Sequence, residues 1–169
     1  MISLEALATD EQIKSEYRKT FLLNLFQKIC SKMNKDVSFG NHIKKLFRES
    51  HNKVLTTKKI IEQNLKYILS DDDAVLIQTW FNANLKKSPQ RKRISLEVKE
   101  NLCRKQNGLC VICGEELGED MKKIHVDHII PWKLVGDELQ NNYQALCDTC
   151  NECKSARTDF IFKKMIKLL

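Results

Sequence analysis

The spacing of apolar residues predicts a long amphipathic helix near the start of the chain. Over residues 10–33 a hydrophobic side chain recurs at every fourth position, and Leu22 and Phe26 widen the stripe. This period places the apolar side chains on one face of a helix, which Thr9 or Asp10 can cap. The recurring residues are Ile13, Tyr17, Phe21, Leu25, Ile29 and Met33.

Three shorter helices are predicted to follow. Gly40 and Asn41 interrupt the pattern before the second helix, and Thr56 or Thr57 can cap the third. Ser70, followed by three aspartates, is typical of the start of a fourth helix, because carboxylates in the first turn favour the helix dipole. This helix is expected to end near Lys86-Lys87. The predicted core positions are Ile43, Leu46, Phe47, Ile60, Ile61, Leu65, Ile68, Leu69, Val75, Leu76, Trp80 and Phe81.

The pattern changes after residue 87. Pro89 disfavours helix, so residues 88–94 are predicted to form a linker. Ser95 to Asn107 return to helical spacing, and Gly108 is placed where a helix commonly ends.

Two strands are predicted further along, over residues 123–130 and 142–146. The loop between them contains Gly136, and helical spacing resumes at Asp148, with Phe160 and Ile161 on later turns. The predicted fold class is therefore α+β. A helical bundle over 1–87 and a basic linker over 88–94 precede a strand–loop–strand–helix module over 95–169.

Four of the seven cysteines form two Cys-x-x-Cys pairs. Cys110 and Cys113 are separated from Cys147 and Cys150 by 33 residues. Zn²⁺ in structural sites takes four such ligands in a closed tetrahedron. The spacing therefore predicts a structural zinc site, with a redox dithiol or four unliganded cysteines as alternatives.

The other cysteines and the N-terminal residues favour an intracellular protein. Cys30 and Cys103 lie in apolar helical patterns and are predicted to be small core residues, whereas Cys153 falls outside the paired spacing. The odd cysteine count and the lack of a secretory pattern argue against disulfides. No apolar run is long enough for a transmembrane helix.

The positive charge is concentrated in the first part of the chain. Residues 1–94 contain 18 Lys/Arg and 10 Asp/Glu, a net charge of +8, whereas residues 95–169 contain 11 and 12, a net charge of −1. The helical half and the linker are therefore expected to attract a polyanion, with a solvated basic surface as the alternative. Arg91, Lys92 and Arg93 are the linker residues predicted to contact phosphate.

Three motifs follow one another in the second half of the chain: Asp127-His128-Ile129-Ile130-Pro131, then Asn142 at the start of the second strand, then Cys147-x-x-Cys150-Asn151-x-x-Lys154. Together they resemble the HNH endonucleases of the ββα-metal class, and the resemblance covers about residues 95–158. A single Asp-His pair would carry no weight. Several motifs in the family order, with fitting spacing, are specific.

The resemblance implies a role for each catalytic residue. His128 would be the general base that activates water, which suits an imidazole that titrates near neutral pH. Asp127 and Asn151 would bind one catalytic Mg²⁺ or Mn²⁺ through hard oxygen donors. Asn142 would brace the hairpin and orient His128 through backbone contacts.

Three further positions are less strictly fixed by the resemblance. His125 would either assist the metal or face the zinc core. Lys154 and Arg157 would contact DNA near the scissile bond, or else form an exposed helix face. Asn151 occupies a position where many relatives have His, which puts the metal preference in doubt.

The resulting hypothesis is a bacterial or phage-encoded, cytoplasmic endonuclease that cuts double-stranded DNA, resembling small type II restriction or phage-defence enzymes. The helical half would grip the duplex, and a homodimer would supply the two sites that double-strand cleavage needs. A homing, mobile-element or nicking nuclease is the second hypothesis. The third is a zinc-stabilised DNA-binding module without catalysis.

Overall fold

A computed structural model describes residues 11–154, apart from the side chains of Gln12, Ile13 and Glu16. Within this range the chain forms seven helices and one two-stranded antiparallel sheet, which confirms the α+β class. The predicted cap at Thr9 or Asp10 and the predicted helical turns at Phe160 and Ile161 lie outside the described residues. The elements are α1 (Glu11–Lys35), α2 (Val37–Glu49), α3 (Lys53–Leu65), α4 (Asp71–Lys86), α5 (Leu96–Lys105), β1 (Ile124–His128), α6 (Trp132–Val135), β2 (Tyr143–Cys147) and α7 (Asp148–Lys154).

The first four helices pack around one aromatic and aliphatic core. Phe26 of α1 contacts Trp80 and Phe81 of α4, with ring centroids 5.8 Å and 5.0 Å apart. Phe47 of α2 lies 5.0 Å from Phe81 on the other side. Trp80 is therefore a core residue, as predicted, and cannot serve as a platform for stacking bases.

The predicted stripe of α1 is buried only in its second part. Tyr17 and Phe21 are 58% and 43% exposed, whereas Leu25, Ile29 and Met33 are buried. A four-residue spacing advances about 400° per step in a helix of 3.6 residues per turn. A strict four-residue stripe therefore winds around the helix, and its early members leave the buried face.

The boundaries of α2 and α3 differ from the prediction. α2 starts at Val37, after the N-cap Asp36, and runs through Gly40 and Asn41 without interruption. α3 is capped by Asn52, whose side chain accepts a hydrogen bond from Leu55 N at 2.9 Å, and not by Thr56 or Thr57. Asx side chains fit this role because they satisfy an N–H group that lacks a helical partner.

Two predicted core positions are exposed. Ile68 and Val75 are 78% and 49% exposed, while Leu69 and Ala74 next to them are buried. α4 otherwise begins as predicted, with Ser70 accepting from Asp73 N at 3.2 Å.

The strand–loop–strand segment packs directly on the helical half. Ile130 and Val135 belong to the same hydrophobic core as the first four helices. Asn84 of α4 donates to the carbonyl oxygen of Leu134 at 2.5 Å, and the Lys87 ammonium donates to that of Lys133 at 2.8 Å. These contacts seat α6 and the loop around it against the end of α4.

A second, smaller core lies beneath the hairpin. β1 and β2 pair in antiparallel register from Ile124 opposite Cys147 to His128 opposite Tyr143. Gln106, just after α5, fixes β2 through two bonds, accepting from Ala145 N at 2.8 Å and donating to its carbonyl at 2.9 Å. The buried residues of this core are Cys103, Cys110, Ile112, Leu117, Ile124, Ala145, Leu146 and Cys150.

The end of α5 and the linker differ in detail from the prediction. α5 ends at Lys105, and the left-handed residue after its C-cap is Asn107, with φ of 55°, followed by Gly108. Residues 88–94 form no helix or strand, as predicted. None of the helices in the described range is long and apolar enough to cross a membrane.

Gly40 gives a direct test of the packing between α1 and α2. A Cβ at this position would lie 2.8 Å from the carbonyl oxygen of Met33. Alanine normally stabilises a helix interior by about 1 kcal/mol relative to glycine. At this position we expect Gly40→Ala to lower the free energy of unfolding by about 1–3 kcal/mol, because backbone must move. Thermal and denaturant unfolding measure the change.

Ser38→Ala is the matched control, since Ser38 is exposed on the same helix. It should leave stability within about 0.5 kcal/mol of the wild type. A Gly40→Ala protein as stable as the wild type would show that α1 and α2 are not packed at this distance.

Candidate metal centre and active site

The four paired cysteines converge on one point. The sulfur atoms of Cys110, Cys113, Cys147 and Cys150 all lie within 4.8 Å of one another, and Cys113 and Cys147 are 3.8 Å apart. A tetrahedron with Zn–S bonds of about 2.3 Å has sulfur–sulfur edges of about 3.8 Å. The cluster therefore has the dimensions of a closed structural zinc site. Cys153 is exposed and is not part of the cluster.

The local backbone favours thiolate at Cys110. Burial raises the pKa of this thiol, but backbone N–H groups at Cys113, Cys147 and Ile112 donate to the sulfur, and the pKa falls to about 7. A thiolate is the form that binds metal. The first cysteine pair lies before β1, and the second spans the end of β2 and the start of α7, so one ion would tie both ends of the hairpin.

Asn142 fixes the backbone that follows β1. Its side-chain oxygen accepts from Ile130 N at 2.8 Å, its amide donates to Ile130 O at 3.0 Å, and its carbonyl accepts from Ile129 N at 2.8 Å. The side chain is almost fully buried. These three bonds set the direction of the chain directly after His128.

His128 is held by a carboxylate from the loop between the strands. Its Nε2 lies 2.9 Å from Asp137 Oδ1, and its ring lies 4.8 Å from that of Tyr143. Because a carboxylate only accepts, Nε2 carries the proton and the lone pair of the neutral ring is on Nδ1. None of the described residues hydrogen-bonds Nδ1.

Asp137 accepts hydrogen bonds from four separate groups. Besides His128, they are Tyr143 OH at 2.9 Å, Trp132 Nε1 at 2.9 Å and Lys92 N at 2.9 Å. Burial raises the pKa of Asp137, but the four donors outweigh it and bring the pKa to about 2. The carboxylate is therefore ionised throughout the neutral range. Burial and the same carboxylate raise the pKa of Tyr143 to about 12, so the phenol remains a donor.

Asp127, next to His128 on β1, pairs with a buried lysine. Lys154 Nζ lies 2.6 Å from Asp127 Oδ2 and donates to the carbonyl oxygen of His128 at 2.7 Å. Asp127 Oδ2 is buried and has no hydrogen-bond partner of proper geometry among the described residues. The Lys154 ammonium at 2.6 Å is the cation that compensates the burial of this oxygen.

Asp127 and Asn151 line one surface cavity of about 360 Å³. Its remaining lining residues are Arg91, Pro131, Trp132, Lys133 and Glu152. The ring of His128 is not among them, because neighbouring side chains of a strand point to opposite faces and this ring packs on Tyr143. The structure thus brings the two predicted metal ligands into one cavity but does not place the His128 ring in its lining.

The predicted DNA-contacting residues occupy different environments. Arg91 lies in the cavity wall, 5.2 Å from the Trp132 ring, and Arg93 is exposed. The Lys92 ammonium pairs with Glu138 at 3.3 Å. Lys154 differs from the prediction because it is only 2% exposed. Its ammonium contacts the Asp127 carboxylate and the His128 carbonyl and does not present its charge to DNA. Arg157 lies outside the described residues.

His125 occupies neither of the two positions predicted for it. Its Nε2 contacts the carboxylate of Asp148 at the start of α7. Both side chains are partly exposed, and His125 does not line the cavity that Asp127 and Asn151 share.

Asp137 is the site residue that the sequence did not reveal. It stands in a loop, one residue after Gly136, and its four partners come from four different segments. The nearest signal was a loop rich in polar residues between a Pro and an Asn.

Comparison with known proteins identifies the class of this segment. Residues 110–157 match the family model described as HNH endonuclease, so this part of the chain is an HNH endonuclease domain. The match starts at the first zinc-site cysteine and includes Asp127, His128, Asn142 and Asn151. No curated protein and no solved structure matches the chain. HNH domains indicate nuclease activity and act on DNA.

The sulfur cluster predicts one tightly bound zinc ion per chain. We expect elemental analysis of purified protein to give a zinc ratio near one, and Cys147→Ser to abolish it. Loss of a structural zinc removes about 10–16 kcal/mol of apparent binding free energy, so the melting temperature of the variant should fall sharply.

Cys153→Ser is the control, because this exposed thiol lies outside the cluster. Its zinc content and melting temperature should equal those of the wild type. Wild-type protein without zinc, or a Cys147→Ser variant that keeps it, would contradict the assignment.

Proposed function

We propose that this chain is a divalent-metal-dependent endonuclease that hydrolyses phosphodiester bonds in double-stranded DNA. The observation that carries the proposal is the HNH domain in which Asp127 and Asn151 share one cavity and His128 directly follows Asp127 on β1. Arg91 and Lys133 add positive charge to the cavity wall, where a phosphate would enter.

The donors in the cavity fit a hard cation. Asp127 offers a carboxylate, of which Oδ2 is paired with the Lys154 ammonium at 2.6 Å, and Asn151 offers an amide oxygen. Mg²⁺ and Mn²⁺ favour such oxygen ligands and retain waters that substrate oxygens replace. Asp127 and Asn151 would hold the ion, which when bound would stabilise negative charge on the phosphate and on the leaving 3′ oxygen.

His128 is proposed as the general base. With Nε2–H donated to Asp137, the Nδ1 lone pair would take a proton from the water that attacks phosphorus. The attack would break the bond to the 3′ oxygen, which would take a proton from solvent, and leave a 5′-phosphate and a 3′-hydroxyl. His128 would then return its proton to solvent. The ionised Asp137 would stabilise the imidazolium that forms, and Asn142 would hold the backbone on which His128 sits.

We further propose a restriction or phage-defence role in a bacterial or phage context, in the cytoplasm. A nuclease domain combined with a basic helical half suits a chain that binds its own DNA target. One active site cuts one strand, so double-strand cleavage would need a homodimer. A homing, mobile-element or nicking nuclease remains the second candidate, because it would use the same domain.

The first experiment is cleavage of a mixed-sequence plasmid by purified protein with added Mg²⁺ or Mn²⁺. We expect cutting by the wild type, and loss of at least 10²-fold in rate for His128→Ala and for Asp127→Asn. Discrete fragments would support restriction, whereas a smear would support non-specific degradation and a nicked circle a nicking enzyme. Unchanged cutting by His128→Ala would overturn the assignment of the base, and a wild type that binds DNA without cutting would favour the binding module.

Asp137 provides a sharper test of the proposed proton transfer. In Asp137→Asn we expect kcat to fall on the order of 10²-fold while KM for DNA changes little, because the amide cannot stabilise a protonated His128 as an anion does. Single-turnover cleavage and a thermal melt would separate lost chemistry from lost folding.

The matched control is Glu138→Gln at the next position, where the Lys92 ammonium is the carboxylate's one ion-pair partner among the described residues. It should retain nearly full kcat. Equal losses in the two variants, or a loss in Asp137→Asn confined to KM, would argue against a role for Asp137 in holding the base.

A further inference from the structure

A second cavity lies on the helical half, away from the cysteine cluster. It has a volume of about 490 Å³ and lies between α2, the start of α3 and the end of α4. We call it the basic groove. Its lining residues are Asn41, Lys44, Phe47, Arg48, Lys53, Asn82, Leu85 and Lys86.

Helical spacing explains how these residues meet. Lys44 and Arg48 are four positions apart and share one face of α2. Lys86 is in the last turn of α4, and Lys53 is the first residue of α3. Three helices therefore contribute four cations to one groove, above a floor formed by Phe47 and Leu85.

The four cations are not neutralised within the part of the chain that the structure describes. No acidic residue lines the groove. Among residues 11–154, none of these four side chains takes part in an ion pair or side-chain hydrogen bond. Elsewhere in the helical half, Arg18 and Lys58 are paired with Asp73 and Asp71 at 2.5 Å and 2.7 Å. Concentrated like charge without counter-charges creates a strong positive potential that a polyanion can satisfy.

The groove is connected to the candidate active site by a short path of contacts. Lys86 is followed by Lys87, whose ammonium donates to the carbonyl oxygen of Lys133 at 2.8 Å. Lys133 and Arg91 line the cavity that contains Asp127 and Asn151. Cationic residues therefore extend from the groove to the candidate site. They run along the end of α4 that packs against α6.

We propose that the basic groove binds the phosphate backbone of the same DNA duplex that the HNH domain cleaves, at a position remote from the scissile bond. This inference rests on the proposed function. A duplex carries one charge per 1.7 Å, so a backbone held at the cavity continues past it and offers further phosphates to a neighbouring basic surface. Asn41 and Asn82 add neutral hydrogen-bond donors to the groove, which suit phosphate and sugar oxygens.

The groove is expected to supply affinity and register without reading sequence. Each phosphate contact makes the fall of log K with log salt concentration steeper by about 0.9 for duplex DNA. Three contacts would therefore contribute between about 2 and 3 to that slope, whatever the sequence bound.

The test compares two triple variants with equal changes in charge. The groove variant is Lys44→Gln, Arg48→Gln, Lys86→Gln, and the control is Lys28→Gln, Lys59→Gln, Lys105→Gln, at exposed positions outside the groove. Fluorescence anisotropy would measure binding to a mixed-sequence duplex of about 30 base pairs at several salt concentrations. Buffer without added divalent cation keeps binding separate from cleavage, and a thermal melt checks the fold of both variants.

We expect the groove variant to bind duplex DNA at least tenfold more weakly than the control at low salt. Its log K should also fall less steeply with log salt concentration, with a slope smaller in magnitude by about 2. Equal affinity and slope in the two folded variants would overturn the proposal, as would a wild type that does not bind duplex DNA. Plasmid cleavage by the same proteins separates this inference from the proposed function. A wild type that binds through the groove but does not cut would support the groove and overturn the nuclease. A wild type that cuts, with no difference in DNA binding between the two variants, would support the nuclease and overturn the groove.

Discussion

The hydrogen bonds to Asp137 are the interaction on which the geometry of the candidate site depends. This single carboxylate accepts from the linker at Lys92, from α6 at Trp132, from β2 at Tyr143 and from His128 at the end of β1. A buried charge is tolerated only when its lone pairs are filled, and here four donors fill them. The position of the His128 ring and the path of the linker are therefore set by the same group.

The helical half and the HNH domain share structural elements at their junction. Ile130, two residues before α6, and Val135, the last residue of α6, are buried in the core formed by the first four helices. The linker backbone at Lys92 is bound to Asp137, so the segment over 88–94 is not a free tether. The orientation of the basic helices relative to the candidate active site is thus fixed by packing as well as by chain connectivity.

The sequence alone predicted the parts of the molecule that obey short-range rules. Two Cys-x-x-Cys pairs identify the sulfur cluster, because each pair places two ligands within reach of one ion. Ser70 marks the start of α4 through its own hydroxyl. The alternating residues around Asp127 and Ala145 locate the hairpin, and its register places His128 opposite Tyr143.

What the sequence did not reveal depends on contacts between distant segments. Position 40 takes glycine inside a helix because a Cβ there would lie 2.8 Å from the Met33 carbonyl oxygen of α1, and local propensity does not record that approach. Lys154 was predicted to contact DNA or to lie on an exposed helix face. Its ammonium is instead buried, where it contacts the carboxylate of Asp127 and the carbonyl of His128. Asp137 has no local signature, since each of its partners lies in a different element.

The position of the sulfur cluster along the chain has a consequence for the cooperativity of folding. Asp127, His128, Asp137 and Asn142 all lie between Cys113 and Cys147, inside the chain loop that the cluster closes, and Asn151 follows Cys150 directly. Closing a loop restricts the unfolded ensemble of every residue within it. The candidate active site is therefore expected to open and close as one foldon with the sulfur cluster.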